Sequence, residues 1–445
     1  MPRMAARVSR PEIMRGRLNS FQRSMLQWND LHAYNAVHVV RIPGAFDLER
    51  LQTAIDGILE TLGLTNLTVN RERAAFTYHG GSARSEIRVV ASSGDIHPAM
   101  EAEITRQLNG AFEPVARFNP FRFFVVPGAD VFSLGLVYFH PVADAESIVH
   151  LLKRMVDAYA GETAPGAGDR LDLYPARFDN LPRRSPRLLV RKIMALPSLI
   201  RALGSSCRLP YRDPGDLSNG FVLFSLPAGC LRSLAASSKS WDVTVNDLFL
   251  ALLLKSLSFL APDRATAPRR RKISIGCIVN LRKDLGLDSR RTFGLFLGSF
   301  LVSHEVPDGI NLMDIARDVR RQTRPIKDRK LYLATAMEMG VARVAASLSS
   351  TGGRQKLYQK HYPLWGGITN MNLNSLWDEA GRAGTLEYFR AVSTGPVTPF
   401  VLSITTAHGL IRAGMTYRST VFSRPQIERV KMEFLDSLNH LVRPA

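Results

Sequence analysis

Leu134-Gly-Leu-Val-Tyr-Phe-His140-Pro-Val-Ala-Asp144-Ala-Glu-Ser147 is the stretch on which the reading of this chain turns. An apolar, β-prone run ends in a histidine, an aspartate follows four residues later, and helical spacing sets in directly after. Upstream, Pro127-Gly128-Ala-Asp130 bounds a segment rich in Val, Leu, Phe and Tyr, which predicts a buried strand from Val131 to Phe139. Downstream, Ile148, Leu151, Leu152, Met155 and Tyr159 recur at helical spacing, with Lys153, Arg154 and Asp157 elsewhere on the wheel, so an amphipathic helix is predicted from Ser147. Asp144 stands where a carboxylate caps the free N–H groups of that helix. The pattern presents one imidazole at the mouth of a strand, and a group titrating near neutral pH there suits general-base chemistry. A structural histidine at a strand end, followed by an aspartate that only caps, fits the same local pattern.

The wider chain separates these readings. His140-Pro-Val-Ala-Asp144 resembles the HxxxD motif of the superfamily that includes chloramphenicol acetyltransferase, nonribosomal-peptide condensation domains, plant HxxxD acyltransferases and bacterial wax ester synthases. The family form is usually His-x-x-x-Asp-Gly, often with a second His before it; this chain has Phe139 and Ala145 at those two places. A glycine commonly marks close backbone approach, and Ala is its mildest replacement. The resemblance continues in order along the chain. Asn19-Ser-Phe-Gln22, a strand from Ala36 to Ile42 and a helix around Leu51 to Leu59 are similar to the superfamily's N-terminal opening. Val243-Thr-Val-Asn246-Asp247 is similar to the Asn-Asp helix start of wax ester synthases. Ile273 to Arg282, then Phe293-Gly294-Leu-Phe-Leu-Gly298, follows the strand, Leu-Arg and Gly-rich succession, and Ile368-Thr369-Asn370 resembles a Ser-Asn strand without its Gly. Phe400 to Thr406, Gly409 to Tyr417 and a helix from Arg424 to Val442 complete the likeness, and no Asp-Phe-Gly-Trp-Gly motif of the plant branch occurs.

What the resemblance implies is an α/β chain of two chloramphenicol-acetyltransferase-like sandwich domains, with an active-site channel at their interface. The flexible Gly161-Glu-Thr-Ala-Pro-Gly-Ala-Gly-Asp169 stretch sets the divisions: 1–165 carries HxxxD, 166–220 is a basic linker or crossover, and 221–445 is the second domain. His140 is then the general base of acyl transfer from an acyl-CoA or acyl carrier protein thioester to a hydroxyl or amine acceptor; a condensation-domain-like partner of a carrier protein and a catalytically silent binding or docking relative are the alternatives. Coenzyme A or phosphopantetheine is a co-substrate, and no cofactor or metal is held permanently. By the same resemblance Asp144 points away from the base and pairs with an arginine of the second domain, for which Arg282 is the match. A solvated strand-end arginine beside Lys283 is the alternative. Asn246, Thr369 and Asn370 are candidates to line the channel, against core or capping roles; Asn246 also stands where a helix N-cap belongs.

Composition agrees with this class and narrows the partners. A chain of 445 residues, 45% hydrophobic, is long for one core and comfortable for two domains. No apolar run reaches the length of a membrane span, and the arginine-rich start lacks a secretory h-region. Cys207, Cys230 and Cys277 are few and far apart, as reduced thiols of a cytoplasmic protein are. The net charge of +19 is dispersed, and no zinc finger or RNP-like reader motif accompanies it, which argues against nucleic acid. Coenzyme A, an acidic carrier protein and anionic lipid headgroups at a peripheral membrane contact all suit such a charge. Arg177, Arg183, Arg184, Arg187, Arg191, Lys192, Arg201, Arg208 and Arg212 concentrate it between the domains. There Leu189, Ile193, Leu196, Ile200 and Leu203 form an apolar stripe interrupted by Pro197, which predicts two short amphipathic helices. A packed crossover and a membrane-surface or partner-binding segment both fit them. Nucleophile-elbow, Walker, dinucleotide and His-Glu-x-x-His motifs are absent from the sequence.

Overall fold

Apolar alternation and helical spacing resolve into two α/β lobes in a computed structural model, which describes residues 13–91, 96–114, 116–162, 171–173, 185–340, 361–377 and 386–442. The first lobe begins β1 (Met14–Arg17), α1 (Ser20–Asn29), β2 (Asn35–Pro43) and α2 (Leu48–Thr61). It continues β3 (Leu67–Asn70), β4 (Ala75–Tyr78), β5 (Ile87–Val89), α3 (Ile96–Asn109), β6 (Phe121–Val126), β7 (Val131–Phe139) and α4 (Ala145–Ala160). The predicted central strand is β7, buried at every residue after Val131, as expected of a strand covered on both faces. The predicted helix is α4. Asp144 caps it, Ile148, Leu151, Leu152, Met155 and Tyr159 are its buried face, and Gly161 ends it at φ 83°.

The rest of the chain holds β8 (Asp172–Leu173), α5 (Pro186–Ser205), β9 (Asn219–Ser225), α6 (Cys230–Ser240), α7 (Val245–Leu257), β10 (Ile273–Asn280) and α8 (Arg282–Leu285). After these come β11 (Thr292–Phe293), β12 (Leu297–His304), α9 (Leu312–Asp328), β13 (Gly366–Asn372), β14 (Tyr388–Val392), β15 (Phe400–Ala407), β16 (Leu410–Arg418) and α10 (Arg424–Val442). The second lobe's six-stranded sheet runs β12-β10-β13-β15-β16-β9. The apolar run Leu248 to Leu254 is the centre of this lobe's core, 1% exposed or less throughout, with α6, α9 and α10 packed on α7. Among the described residues no single helix is long and apolar enough to cross a membrane. Cys207, Cys230 and Cys277 are free and buried.

Three features depart from the sequence reading. The five-stranded sheet of the first lobe has the order β14-β2-β7-β6-β5, so Tyr388–Val392, inside the range 221–445, builds the edge of the other lobe. Close packing lets this strand cross: a Cβ on Gly414 of β16 would lie 2.6 Å from the Arg390 carbonyl oxygen. The basic passage forms one helix, α5, with Pro197 inside it, instead of two short ones. Pro197 removes one amide donor, and its exposed position allows water to take over the freed carbonyl. Finally, Thr244 and not Asn246 caps α7, closing a reciprocal box with Asp247. Residues 163–170 of the expected linker, with Arg177, Arg183 and Arg184, lie outside the described residues.

Candidate active site at the seam between the lobes

β7 ends at Phe139 and the chain turns through a 3₁₀ segment, His140–Val142, with Pro141 enforcing the change. The His140 amide donates to the Tyr34 carbonyl at 3.2 Å, and the α1 residue Gln22 donates through Nε2 to the Pro141 carbonyl at 2.8 Å. Asn19 and Gln22 cap one another, and Asn19 Nδ2 also reaches the Leu295 carbonyl of the second lobe at 3.1 Å. The Asn19-Ser-Phe-Gln22 opening therefore braces the histidine turn from beneath.

The imidazole has a fixed tautomer. Nδ1 lies 3.1 Å from the Ala143 carbonyl oxygen, which can only accept, so Nδ1 carries the hydrogen and Nε2 the lone pair. Tyr34 stacks on the ring at 5.4 Å and 17°, and Tyr138 meets it edge-on at 5.5 Å. Trp28 meets Tyr34 edge-on at 5.3 Å. Gly395, at φ 61°, leaves Tyr34 room that a side chain would fill, since its Cβ would lie 2.8 Å from the ring. Burial pushes the His140 pKa below 6.5, while backbone hydrogen bonds and the field of Asp144 oppose the shift. The result is a neutral, oriented imidazole.

Asp144 and Arg282 meet across the lobes. Asp144 Oδ1 accepts from the Ser147 amide at 3.1 Å; Oδ2 accepts from Arg282 Nη1 at 2.6 Å and the Phe296 amide at 2.9 Å. Arg282 Nη2 donates to Ser147 Oγ at 2.7 Å, and its guanidinium lies 4.8 Å from the Phe296 ring centroid. Both charges are buried, and Asp144 is at once a helix cap and an ion-pair partner. Among the described residues it makes no hydrogen bond to His140 and reaches the ring through its field alone. Asn280 Oδ1 accepts from the Arg282 amide at 2.9 Å, and Asn280 also bonds Glu146, whose carboxyl burial raises above its usual pKa. Ala145 occupies the first turn of α4, half-buried.

Thr369, Asn370 and Asn246 are placed apart. Along β13, Ile368 pairs with Cys277 and Leu402 in the second lobe's core, so the neighbouring Thr369 takes the opposite face. There Arg390 Nη1 donates to Thr369 Oγ1 at 3.4 Å and Nη2 to its carbonyl at 3.3 Å. Asn370 returns to the Ile368 side and is exposed, and Asn246 lies on that side too, its Nδ2 3.6 Å from Cys277 Sγ. Of the three, Thr369 reaches the seam.

Four seam residues were not singled out from sequence. Register sets Arg390 opposite His38, and His38 opposite Leu136, so His38, Tyr138, Tyr388 and Arg390 share the sheet face toward the second lobe. His38 bonds Tyr388 through Nδ1 at 2.6 Å and meets Tyr138 edge-on at 5.6 Å. Arg390 is 1% exposed and, among the described residues, bonds only neutral acceptors: Thr405 Oγ1 at 3.0 Å, the Ile404 carbonyl at 2.7 Å, and Thr369. Burial lowers its pKa to about 10. Burial first, then Arg390 and His140, holds the His38 pKa well below 6.5. Among the described residues, His38 Nε2 and the Tyr138 hydroxyl have no hydrogen-bond partner. The available signal was a polar residue on alternate positions of otherwise apolar strands, His38 in Ala-Val-His-Val-Val and Arg390 in Tyr-Phe-Arg-Ala-Val.

Among the described residues no group of three or more His, Cys, Asp or Glu is placed to hold a metal ion. No family model and no curated protein matches the sequence. Solved structures do match the fold over nearly the whole chain. The condensation domain of the Monacolin K polyketide synthase MokA superposes with TM-score 0.70 at 13% identity, covering 97% of this chain and 98% of that one. The EpoB cyclization-docking bidomain from Sorangium cellulosum gives 0.71 at 15% identity, covering 97% and 85%. The epimerization domain from the third module of tyrocidine synthetase B gives 0.65 at 14% identity, covering 98% and 99%. This chain thus has the two-lobed, chloramphenicol-acetyltransferase-like fold of the condensation domains.

Proposed function

We propose that the chain is a condensation-type acyltransferase, moving an acyl group from a carrier-protein or coenzyme A thioester to a hydroxyl or amine acceptor. The observation that carries this reading is the His140 ring: buried at the seam, neutral, and locked with its Nε2 lone pair unused by Ala143. The acceptor's O–H or N–H gives its proton to Nε2 as the acceptor atom bonds the thioester carbonyl carbon. The tetrahedral adduct then expels the thiolate, which takes the proton back from Nε2, so the ring ends neutral and the thiol is released. Holding both reactants in register between two lobes supplies much of the acceleration. The unpartnered His38 Nε2 and Tyr138 hydroxyl are groups that a polar reactant on this face would satisfy. Asp144 and Arg282 hold the loop and lobes in place. Carrier-protein thioesters are the favoured donors, because the fold neighbours are domains of peptide and polyketide synthetases.

Turnover of acyl-carrier and acyl-CoA donors tests this. His140→Ala is expected to lower transfer by a factor of about 10² to 10⁴ with the unfolding temperature little changed. Because His140 must be neutral and burial lowers its pKa, the acid limb of kcat/KM falls below pH 6.5. Near-wild-type turnover of the variant overturns the mechanism. Ala145, standing where the family has Gly, supports a second reading, a silent relative that docks carriers. Carrier retention in a pulldown without turnover of either donor would select it.

A further inference from the structure

Helix α5 leaves an apolar face uncovered. Of the ten large apolar side chains classed as exposed among the described residues, five sit on this helix: Val190, Ile193, Met194, Leu196 and Ile200. Met194 is 75% exposed, Ile200 61% and Ile193 57%, whereas Leu188 is the helix's one fully buried residue. The inward face is otherwise accounted for, packing near Leu331–Ala334 and pairing Lys192 with Glu338. At about 100° per residue, the five exposed side chains occupy an arc of about 160° on the outward face. Arg187 and Arg191 follow one border of that arc, and Arg201 lies just inside the same border. The helix contains no acidic residue.

We infer that α5 is a docking face for an anionic lipid surface, lying in the interface plane with Ile193, Met194 and Ile200 among the acyl chains. Three observations favour this occupant. The apolar side chains form an exposed ridge along the outward face of the helix; a bilayer receives such a ridge anywhere, whereas a protein partner needs a matching groove. The arginines border the ridge, where their long stems carry the charge up to headgroup phosphates. The chain as a whole carries +19, which favours an anionic surface over a neutral one.

Vesicle flotation with phosphatidylcholine alone, and with phosphatidylglycerol added, is the test. Wild type is expected to float with the anionic vesicles and weakly with the neutral ones. Ile193→Ser/Met194→Ser/Ile200→Ser should abolish flotation, and Arg187→Ser/Arg191→Ser should weaken it by about fivefold per arginine on anionic vesicles only. Met194→Trp should shift its emission to the blue when anionic vesicles are added. These positions are exposed, so circular dichroism melting should stay unchanged in every variant. The inference is overturned if wild type floats with neither vesicle, or if the apolar triple variant floats as wild type does. It is equally overturned if vesicles are ignored while the triple variant loses capture by an acidic carrier protein.

Discussion

Arg282 and Arg390 are both buried where the lobes meet, yet their surroundings differ in the one respect that matters for charge. Arg282 faces the Asp144 carboxylate at 2.6 Å, with Ser147 Oγ taking a second bond. Arg390 faces hydroxyls and carbonyls, and among the described residues no carboxylate bonds it. A buried ion pair cancels its own field at a distance, so the Arg282 end acts as a brace. An unpaired guanidinium keeps a positive field in a poorly screened interior. That field falls on His38, and it is one reason His38 stays neutral. The same field would stabilise negative charge developing on a reactant at this face.

The largest expected effect is on stability, and it separates the two arginines. Arg282→Met strands the Asp144 carboxylate and should cost about 3–5 kcal/mol; Asp144→Ala strands the guanidinium and should cost about as much. The double variant should cost clearly less than the sum. Arg390→Met strands no opposite charge. It gives up hydrogen bonds to neutral acceptors but also removes a poorly solvated cation, so a smaller loss of about 1–3 kcal/mol is expected. Chemical denaturation of the four variants checks the order. Equal losses for Arg282→Met and Arg390→Met, or strict additivity in the Asp144–Arg282 cycle, would break the comparison.

A second effect is on the pH dependence of folding. His38 and His140 are held below 6.5, and His150 is pushed down to about 4 by partial burial and by Arg282, Arg290 and Arg154. The unfolded chain takes up these protons as pH falls through 6.5, whereas the folded chain resists. Stability is therefore whole above 6.5 and declines as pH falls below it, toward about 4 for the His150 contribution. Glu146 works the other way, because its raised pKa returns stability when it protonates. Thermal unfolding from about pH 7.5 to about pH 5 should show a falling midpoint, with a shallower fall in His38→Gln. A flat profile would mean that the seam histidines are not held neutral.

The legible part of this molecule is the part written in contiguous sequence. β7, its end at His140 and the buried face of α4 follow from an apolar, β-prone run bounded by Pro127-Gly128 and from helical spacing, all within one stretch. Resemblance joined Asp144 to Arg282, 138 positions apart, and the two are in contact. The rest depends on pairing that no local pattern encodes. Arg390 reads as an oddity in a short apolar strand until β14 crosses to pair with β2 and sets it beside His38. Thr369 and Asn370 looked equivalent as neighbours, but strand alternation sends them to opposite faces, and only the sheet order says which face is the seam. The outward ridge of α5 was half legible: its apolar and basic pattern is plain, but exposure is a property of what does not pack against it.

The smallest effect is expected beside the paired end, at Ala145. Asp144 holds its contacts to Arg282, Phe296 and Ser147 although the residue after it is Ala where the HxxxD motif that this stretch resembles usually has Gly. Ala145 sits in the first helical turn, half-buried, and any L residue adopts that conformation without strain. Ala145→Gly should therefore lower stability by less than about 1 kcal/mol, the cost of the added backbone freedom. Since Asp144 and Arg282 keep their bonds, the proposed transfer activity should change by no more than a few-fold. Measuring kcat and KM separately gives the result its meaning. A large rise in kcat for Ala145→Gly would show that the methyl group intrudes on the reacting atoms, and that the paired end belongs to the chemistry as well as to the brace.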